Sequence, residues 1–302
     1  MFAVTILGNN SAIPTLERHP TAQVVTVDNQ LLLIDCGEGS QMQMQRYHIK
    51  RGKLNHIFIS HLHGDHYFGL IGLINSLSLL GRSEDLTVYG PPELQEIIDI
   101  QLKVADTRLL FKLIFVPLVP GNGGIIMKDK EVEVSYFPVQ HRIPCYGFRV
   151  KRERTKRKLI PEQAKAYEIP AAFYSRLQAG EDYQRKDGVL VKNDWVTLPP
   201  PPAQAYVYCA DTKYDPGIIP YLAGANLVYH ESTYLHDLEQ RAADRFHSTA
   251  FQAASLAKDA GVGRLLLGHF SSKYTELGGF LEEARPVFEE SYLATEGTTF
   301  LV

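Results

Sequence analysis

The sequence predicts an α/β protein built as a two-sheet sandwich, and three observations lead there. Apolar residues make up 45% of the chain and charged residues 22%, an ordinary globular balance in which strand-like and helix-like runs alternate. Each half of the chain passes through strands first and helices afterwards. Several short apolar runs also end abruptly in polar segments, as strands do when they deliver loops to one edge of a sheet. A chain of 302 residues buries a sizeable core without disulfides or a structural metal, so any metal site in it is expected to be catalytic.

The elements follow in order. Residues 2–7 (FAVTIL) read as a buried strand that runs into the turn-rich GNNSAIPT loop. Residues 24–27 and 30–34 suggest a hairpin across Asp28 and Asn29, and the second strand empties into Asp35-Cys36-Gly37-Glu38-Gly39. A glutamine-rich helix is expected over 40–48, a short strand over 56–60 (HIFIS), and a helix over 67–80. Strand 86–89, Pro91-Pro92 and a helix over 93–105 repeat the order; proline suits a helix start because the first N–H groups have no partner in the helix. Strand patterns occupy 112–139 and 145–150.

The texture then changes. Residues 149–158 (RVKRERTKRK) carry seven basic residues and one acid, amphipathic proline-punctuated sequence runs to Trp195, and Pro199 to Pro202 follow, which no helix or central strand accepts. Residues of about 150–195 are therefore read as an insertion in one domain spanning 1–302. Strands resume at 206–209, 227–229 and 264–267, with a helix over 249–260 capped at Ser248-Thr249.

Net charge is −3, so nucleic-acid binding would have to rest on a local basic patch rather than on the whole-protein field. Cys36, Cys145 and Cys209 form no CxxC pair and no even framework, which fits a reduced compartment. There is no secretory leader pattern and no apolar run near the ~20 residues that span a bilayer. A cytoplasmic protein without a membrane anchor is expected.

The strongest chemical signal is His61-Leu62-His63-Gly64-Asp65-His66, between the HIFIS strand and a helix. Alternate residues of an extended segment point the same way, so His61 and His63 can share one metal, and a turn at Gly64 swings Asp65 and His66 toward a second. Imidazole nitrogen and carboxylate oxygen suit zinc, and a two-metal site needs several such groups to converge. Strand ends supply the rest: His141 after the strand ending at Val139, Asp211 after 206–209, and His269 after 264–267.

This constellation resembles the metallo-β-lactamase superfamily, whose HxHxDH motif is joined by a distant His, a bridging Asp and a final His. The resemblance covers nearly the whole chain and implies a four-layer αββα sandwich. It further implies two zinc ions per subunit, one on His61, His63 and His141, the other on Asp65, His66 and His269, with Asp211 bridging.

Within that superfamily the chain resembles the ribonuclease Z family. The carriers are the Gly8 to Pro14 loop, Asp35-Cys36-Gly37-Glu38, His230-Glu231-Ser232-Thr233, His247-Ser248-Thr249, the Gly268 to Tyr274 segment, and the basic insertion. The family's PxKxRN loop is Pro14-Thr15-Leu16-Glu17-Arg18-His19 here, without the lysine and asparagine, and the insertion lacks the family's Gly-Pro pair near Ile169. The resemblance implies an endoribonuclease that removes the 3′ trailer of precursor tRNA, leaving a tRNA 3′-hydroxyl and a trailer 5′-phosphate, with a homodimer as its working form. Asp65 would accept the proton of the attacking water and His247, oriented by Glu231, would protonate the leaving oxygen. A flexible arm would grip tRNA through Arg149, Lys151, Arg152, Arg154, Lys156, Arg157 and Lys158, with Arg18 near the RNA end. Two other readings share the fold: a small-molecule phosphodiesterase (cyclic substrates included) or sulfatase-like hydrolase, which has no use for a basic arm, and a non-catalytic RNA-binding subunit, which has no use for seven converging ligands.

Overall fold

The computed structural model describes residues 1–302. Strand β1 (Phe2–Gly8) pairs antiparallel with β2 (Ala22–Val27), and β2 with β3 (Gln30–Cys36). Asp28 takes the left-handed conformation (φ 52°) that turns the second hairpin. From β3 the sheet continues in parallel through β4 (Leu54–Phe58), β5 (Leu86–Gly90) and β6 (Leu113–Pro117). Parallel neighbours need crossovers. These are α1 (Ser40–Arg46), then α2 (Gly64–Tyr67) with α3 (Leu70–Leu79), then α4 (Glu93–Val104).

The single helix expected over 67–80 is broken between α2 and α3. Gly69 lies against the loop after β3, donates its N–H to the Cys36 carbonyl at 2.9 Å, and has the Gly37 carbonyl oxygen 2.2 Å from where a Cβ would sit. That contact interrupts the helix and fixes the metal motif onto the end of β3.

The second sheet contains β7 (Gly124–Asp129), β8 (Val132–Val139) and β9 (Cys145–Arg152) in antiparallel order. The chain then leaves for a small unit. It comprises β10 (Lys158–Leu159), α5 (Pro161–Ala166), α6 (Tyr174–Gln178), β11 (Tyr183–Gln184), β12 (Leu190–Val191), α7 (Asn193–Val196) and β13 (Thr197–Leu198). It packs around its own core of Ile169, Leu177, Val191 and Val196. The basic run expected to begin the insertion is divided: residues up to Arg152 belong to β9, inside the main sheet.

The sheet resumes at β14 (Gln204–Cys209), antiparallel to β9, and continues in parallel through β15 (Leu227–Glu231), β16 (Leu265–Gly268) and β17 (Ser291–Leu293). The intervening helices are α8 (Ile219–Leu222), α9 (Glu239–Asp244), α10 (Ala250–Asp259) and α11 (Gly278–Ala284). Thr249 caps α10 in a reciprocal box with Gln252, which satisfies two end groups at once. Finally β18 (Thr299–Leu301) returns to pair with β1. Each seven-stranded sheet thus has three antiparallel and three parallel pairings.

Three clusters define the layers. One packs the inner faces of both sheets together, with Val4, Leu32 and Phe58 against Val134, Phe148, Tyr206 and Tyr229. A second seats α3 and α4 on the first sheet through Leu73, Leu77, Leu94 and Ile98. The third seats α10 and α11 on the other through Ala253, Ala257 and Phe280, the alanines letting the helix approach closely. This is the αββα sandwich. No helix is long and apolar enough to cross a membrane.

Candidate metal centre and active site

The parallel strands of both sheets end on the same rim, where the polar residues that follow them meet. His61 comes two residues after Ile59 beyond β4, Asp211 follows β14, and His269 follows β16 in a left-handed conformation (φ 58°). His141 comes just after β8, and His66 sits on α2.

Each imidazole has one nitrogen committed outward. Ser60 Oγ donates to Asp35 and so accepts from His61 Nδ1 at 3.0 Å. His66 Nδ1 donates to Asp35 Oδ2 at 2.7 Å, His141 Nδ1 to the Phe246 carbonyl at 3.1 Å, and His269 Nδ1 to Thr233 Oγ1 at 2.9 Å, whose own proton goes to Glu231. These bonds fix the tautomers and leave the Nε2 lone pairs facing inward. His61 Nε2 and His141 Nε2 both lie 3.0 Å from His63 Nδ1, and Asp211 Oδ2 is 3.7 and 3.9 Å from those two Nε2 atoms. On the other side Asp65 Oδ2 lies 3.6 Å from His66 Nε2 and 3.3 Å from His269 Nε2, while Asp211 Oδ1 is 3.3 and 3.1 Å from the same pair. Asp211 therefore offers one oxygen to each set.

The chemistry of this donor set fits a pair of divalent cations. Lone pairs crowded at 3.0 Å with no proton to share repel one another, and the buried Asp211 Oδ1 accepts no hydrogen bond. An orphaned buried carboxylate oxygen is costly unless a cation meets it. Burial, with the neighbouring His66, holds His61 well below the ordinary histidine range; burial and His141 take His63 down to about 4. Burial works against charging His66 too, but Asp211, Asp65 and Asp35 outweigh it and raise that ring above the ordinary histidine range, so a cation there would compete with a proton. All seven residues expected as ligands are brought together in two groups, His61, His63, His141 and Asp211, and Asp65, His66 and His269.

Beside them stands His247. Its Nδ1 donates to Glu231 Oε1 at 2.8 Å. Burial opposes its charging, but Glu231 lifts it to about 9. Glu231 is itself immobilised: its oxygens also accept from the N–H groups of Thr212, Ser248 and Thr233 and from the Thr233 hydroxyl. With Nδ1 so engaged, His247 has Nε2 left for the cleft, a cavity of about 670 Å³ that it lines with Asp65 and Asp211.

Two participants were absent from the expected site. Asp35 is fully buried at the end of β3, accepts from the Ser60 N–H and the Tyr208 hydroxyl, and orients both His66 and, through Ser60, His61. Thr233 ties Glu231 to His269. The strand-end rule that picked out Asp211 could have found Asp35. A threonine carries no comparable signal.

The basic residues are placed differently. Arg18 donates to the Tyr274 carbonyl at 2.7 Å and fastens its loop to the protein itself. Arg149 donates to the Tyr221 carbonyl at 2.7 Å, Lys151 pairs with Glu153, Arg152 and Arg154 share Asp28, and Arg157 pairs with Asp194. Of the run, only Lys156 and Lys158 are exposed without a carboxylate partner.

Comparison with known proteins bears on this geometry. The family of the anti-Pycsar protein Apyc1 matches residues 2–153. The ribonuclease Z of Porphyromonas gingivalis is 41% identical over 295 residues, 98% of this chain and 97% of that one. That of Cytophaga hutchinsonii is 42% identical over 308 residues, 100% of this chain and 96% of that one. Among solved structures, the short form of human tRNase Z superposes with a TM-score of 0.72 at 26% identity over 99% of this chain and 98% of the other. The metallo-β-lactamase fold protein YhfI of Bacillus subtilis does so at 0.69 and 20% identity, over 99% and 98%. With a relative 41% identical along nearly the whole of both chains, and with the sandwich and its rim in place, this chain belongs to the ribonuclease Z family.

Proposed function

We propose that the protein is an endoribonuclease that removes the 3′ trailer from precursor tRNA, using two zinc ions per subunit. The carrying observation is the two-sided donor set around Asp211 with His247 beside it, in a member of the ribonuclease Z family. Two divalent ions held there would polarise the scissile phosphate and lower the pKa of a water between them toward ~7. The chain's residues supply the remainder. Asp65, fixed by the Ala12 N–H at 2.7 Å, orients the attacking water and accepts its proton. As the new P–O bond forms in line, the P–O3′ bond breaks, and His247 gives its proton to the leaving 3′-oxygen. Glu231 holds the ring at the angle for that transfer and stabilises its charged form. The products are a tRNA 3′-hydroxyl and a trailer 5′-phosphate.

The same reading extends to the setting. One domain carries an arm over about residues 150–195, and Lys156, Lys158, Lys165 and Lys186 are its exposed cations without a carboxylate partner. A homodimer is supported by the apolar side chains left exposed on and around α3 and α4, among them Phe68, Leu79, Ile100 and Val104. Three free, buried cysteines support a cytoplasmic location. Incubation with a 3′-extended precursor tRNA, with the product end mapped, tests the activity. Cleavage of a cyclic or chromogenic diester with no cut in the precursor would favour the small-molecule hydrolase instead.

A further inference from the structure

Several arginines elsewhere on this protein are matched with acids: Arg154 with Asp28, Arg157 with Asp194, Arg176 with Glu181, Arg185 with Glu168. Three that line the catalytic cleft are not. Arg142, Arg241 and Arg245 are exposed on its wall, and none of them takes part in an ion pair, although Glu38, Asp65 and Asp211 line the same cavity.

Their placement is ordered. Arg241 lies on α9 and Arg245 follows one turn later at its C-cap, so the two share a face of that helix. The Arg241 guanidinium lies 5.8 Å from the centre of the Tyr234 ring, and that ring stands edge-on to His247 at 6.2 Å. Arg142 stands at the metal end, where Nη2 is 3.3 Å from His63 Nε2. The same side chain lines the cleft wall.

The geometry points to a cationic rail, running from Arg142 past His247 and Tyr234 to Arg241 and Arg245, that binds the RNA backbone phosphates on the 5′ side of the scissile bond. The inference rests on the proposed function. His247 protonates the leaving 3′-oxygen, so the strand ending in that oxygen leaves the centre past His247, and the next groups along this wall are the Tyr234 ring and the two arginines of α9. Guanidinium groups suit phosphate through paired N–H donors. Arg241 and Arg245 are therefore positioning residues, separate from the arm, that set which linkage lies over the metals.

The test compares the metal-loaded wild type with R241Q/R245Q and with R241K/R245K, using for binding a tRNA that ends at the cleavage point, the product of the proposed reaction. For the glutamine pair we expect affinity to fall more than tenfold and the slope of log K against log salt to flatten by about 1.4, at roughly 0.7 per phosphate contact in single-stranded RNA. The lysine pair should keep the wild-type slope, which a merely structural role for the side chains would not predict. Neutral methylphosphonates at the linkages just 5′ of the cut should weaken the wild type and leave the glutamine pair unaffected. Equal sensitivity of both proteins to that replacement, or an unchanged affinity and slope in R241Q/R245Q, overturns the rail. If the wild type meanwhile cuts the precursor at the tRNA end, the proposed function stands without it. A wild type that neither binds nor cuts overturns the function, and the rail with it.

Discussion

The catalytic rim and the small unit between β9 and β14 handle charge in opposite ways. At the rim, side chains from positions as distant as His61 and His269 converge on one mostly buried cluster at the edge of the cleft, and their lone pairs have no protons to share. In the small unit, the ion pairs lie within about 40 residues of sequence, Arg185 with Glu168 and Lys192 with Asp182 among them, and the unit packs on four buried residues of its own. Surface pairs of that kind contribute little to stability, roughly 0–1 kcal/mol. The buried donors cost several times that unless a cation meets them. One region is held by the whole fold and completed by a ligand, and the other is a local module that the fold only carries. Function and stability should therefore respond separately to changes in each.

The largest effects belong to the rim. Chelation should abolish cleavage and lower the melting temperature, since an ion bound only by the folded state stabilises it, and elemental analysis of untreated protein should find about two ions per chain. Asp65→Ala should reduce turnover by more than roughly 10³-fold, the loss of a proton acceptor and a metal donor together. Protein that still cleaves after metal removal would break the contrast at its strongest point. His247→Ala comes next, with kcat down roughly 10²–10⁴-fold and metal content unchanged. A parallel loss of metal would make His247 a ligand, an arrangement that its distance of 4.0 Å from Asp211 leaves open to test.

The contrast also explains what could be read from the residues alone. His61 to His66 lie within six positions, and their spacing on a strand end declares the chemistry before any fold is known. His141, Asp211 and His269 are legible by rule, as polar residues where apolar runs stop. Asp35 obeys the same rule but sits inside a stretch of small residues, and its partners Ser60 and Tyr208 are 25 and 173 residues away, beyond any local pattern. Charge density misled at the insertion. RVKRERTKRK reads as a free basic patch, yet Arg149 and Arg152 belong to a strand and are occupied by carbonyls and by Asp28, partners that only the tertiary structure supplies. The break at Gly69 was likewise hidden, because the obstacle is a carbonyl of another loop.

Asp35 gives the next smaller effect. Asp35→Asn keeps the shape but weakens the acceptor that holds His66 Nδ1–H, and supporting groups of this kind usually change metal affinity about 10–100-fold. Competition with a chromogenic chelator should show that loss, while activity at saturating metal falls less. In the small unit, Leu177→Ala should destabilise local packing by about 2–5 kcal/mol. Hydrogen exchange should then rise across α5 to α7 and leave α10 protected. If exchange rises equally in both, the unit is not a module.

The smallest effect expected is at Lys156 and Lys158, and it tests the comparison most finely. Both are exposed and neither has a carboxylate within reach, whereas Arg154 and Arg157 on either side of Lys156 are paired. A paired arginine must give up its acid before it takes a phosphate, so neutralising it should change RNA affinity less than neutralising a free lysine. Lys156→Ala with Lys158→Ala should raise KM for precursor tRNA a few-fold and flatten the salt slope by about 1.4–1.8, two phosphate contacts at ~0.7–0.9 each. Arg154→Ala should flatten it by less. The effect should be confined to KM, since both lysines lie outside the donor set, and kcat for the precursor should follow that for a small diester. A slope that flattens as much for Arg154 as for the two lysines would mean that the ion pairs open on binding. In that case the charge of the whole run, rather than its two unpaired lysines, carries the contact with RNA.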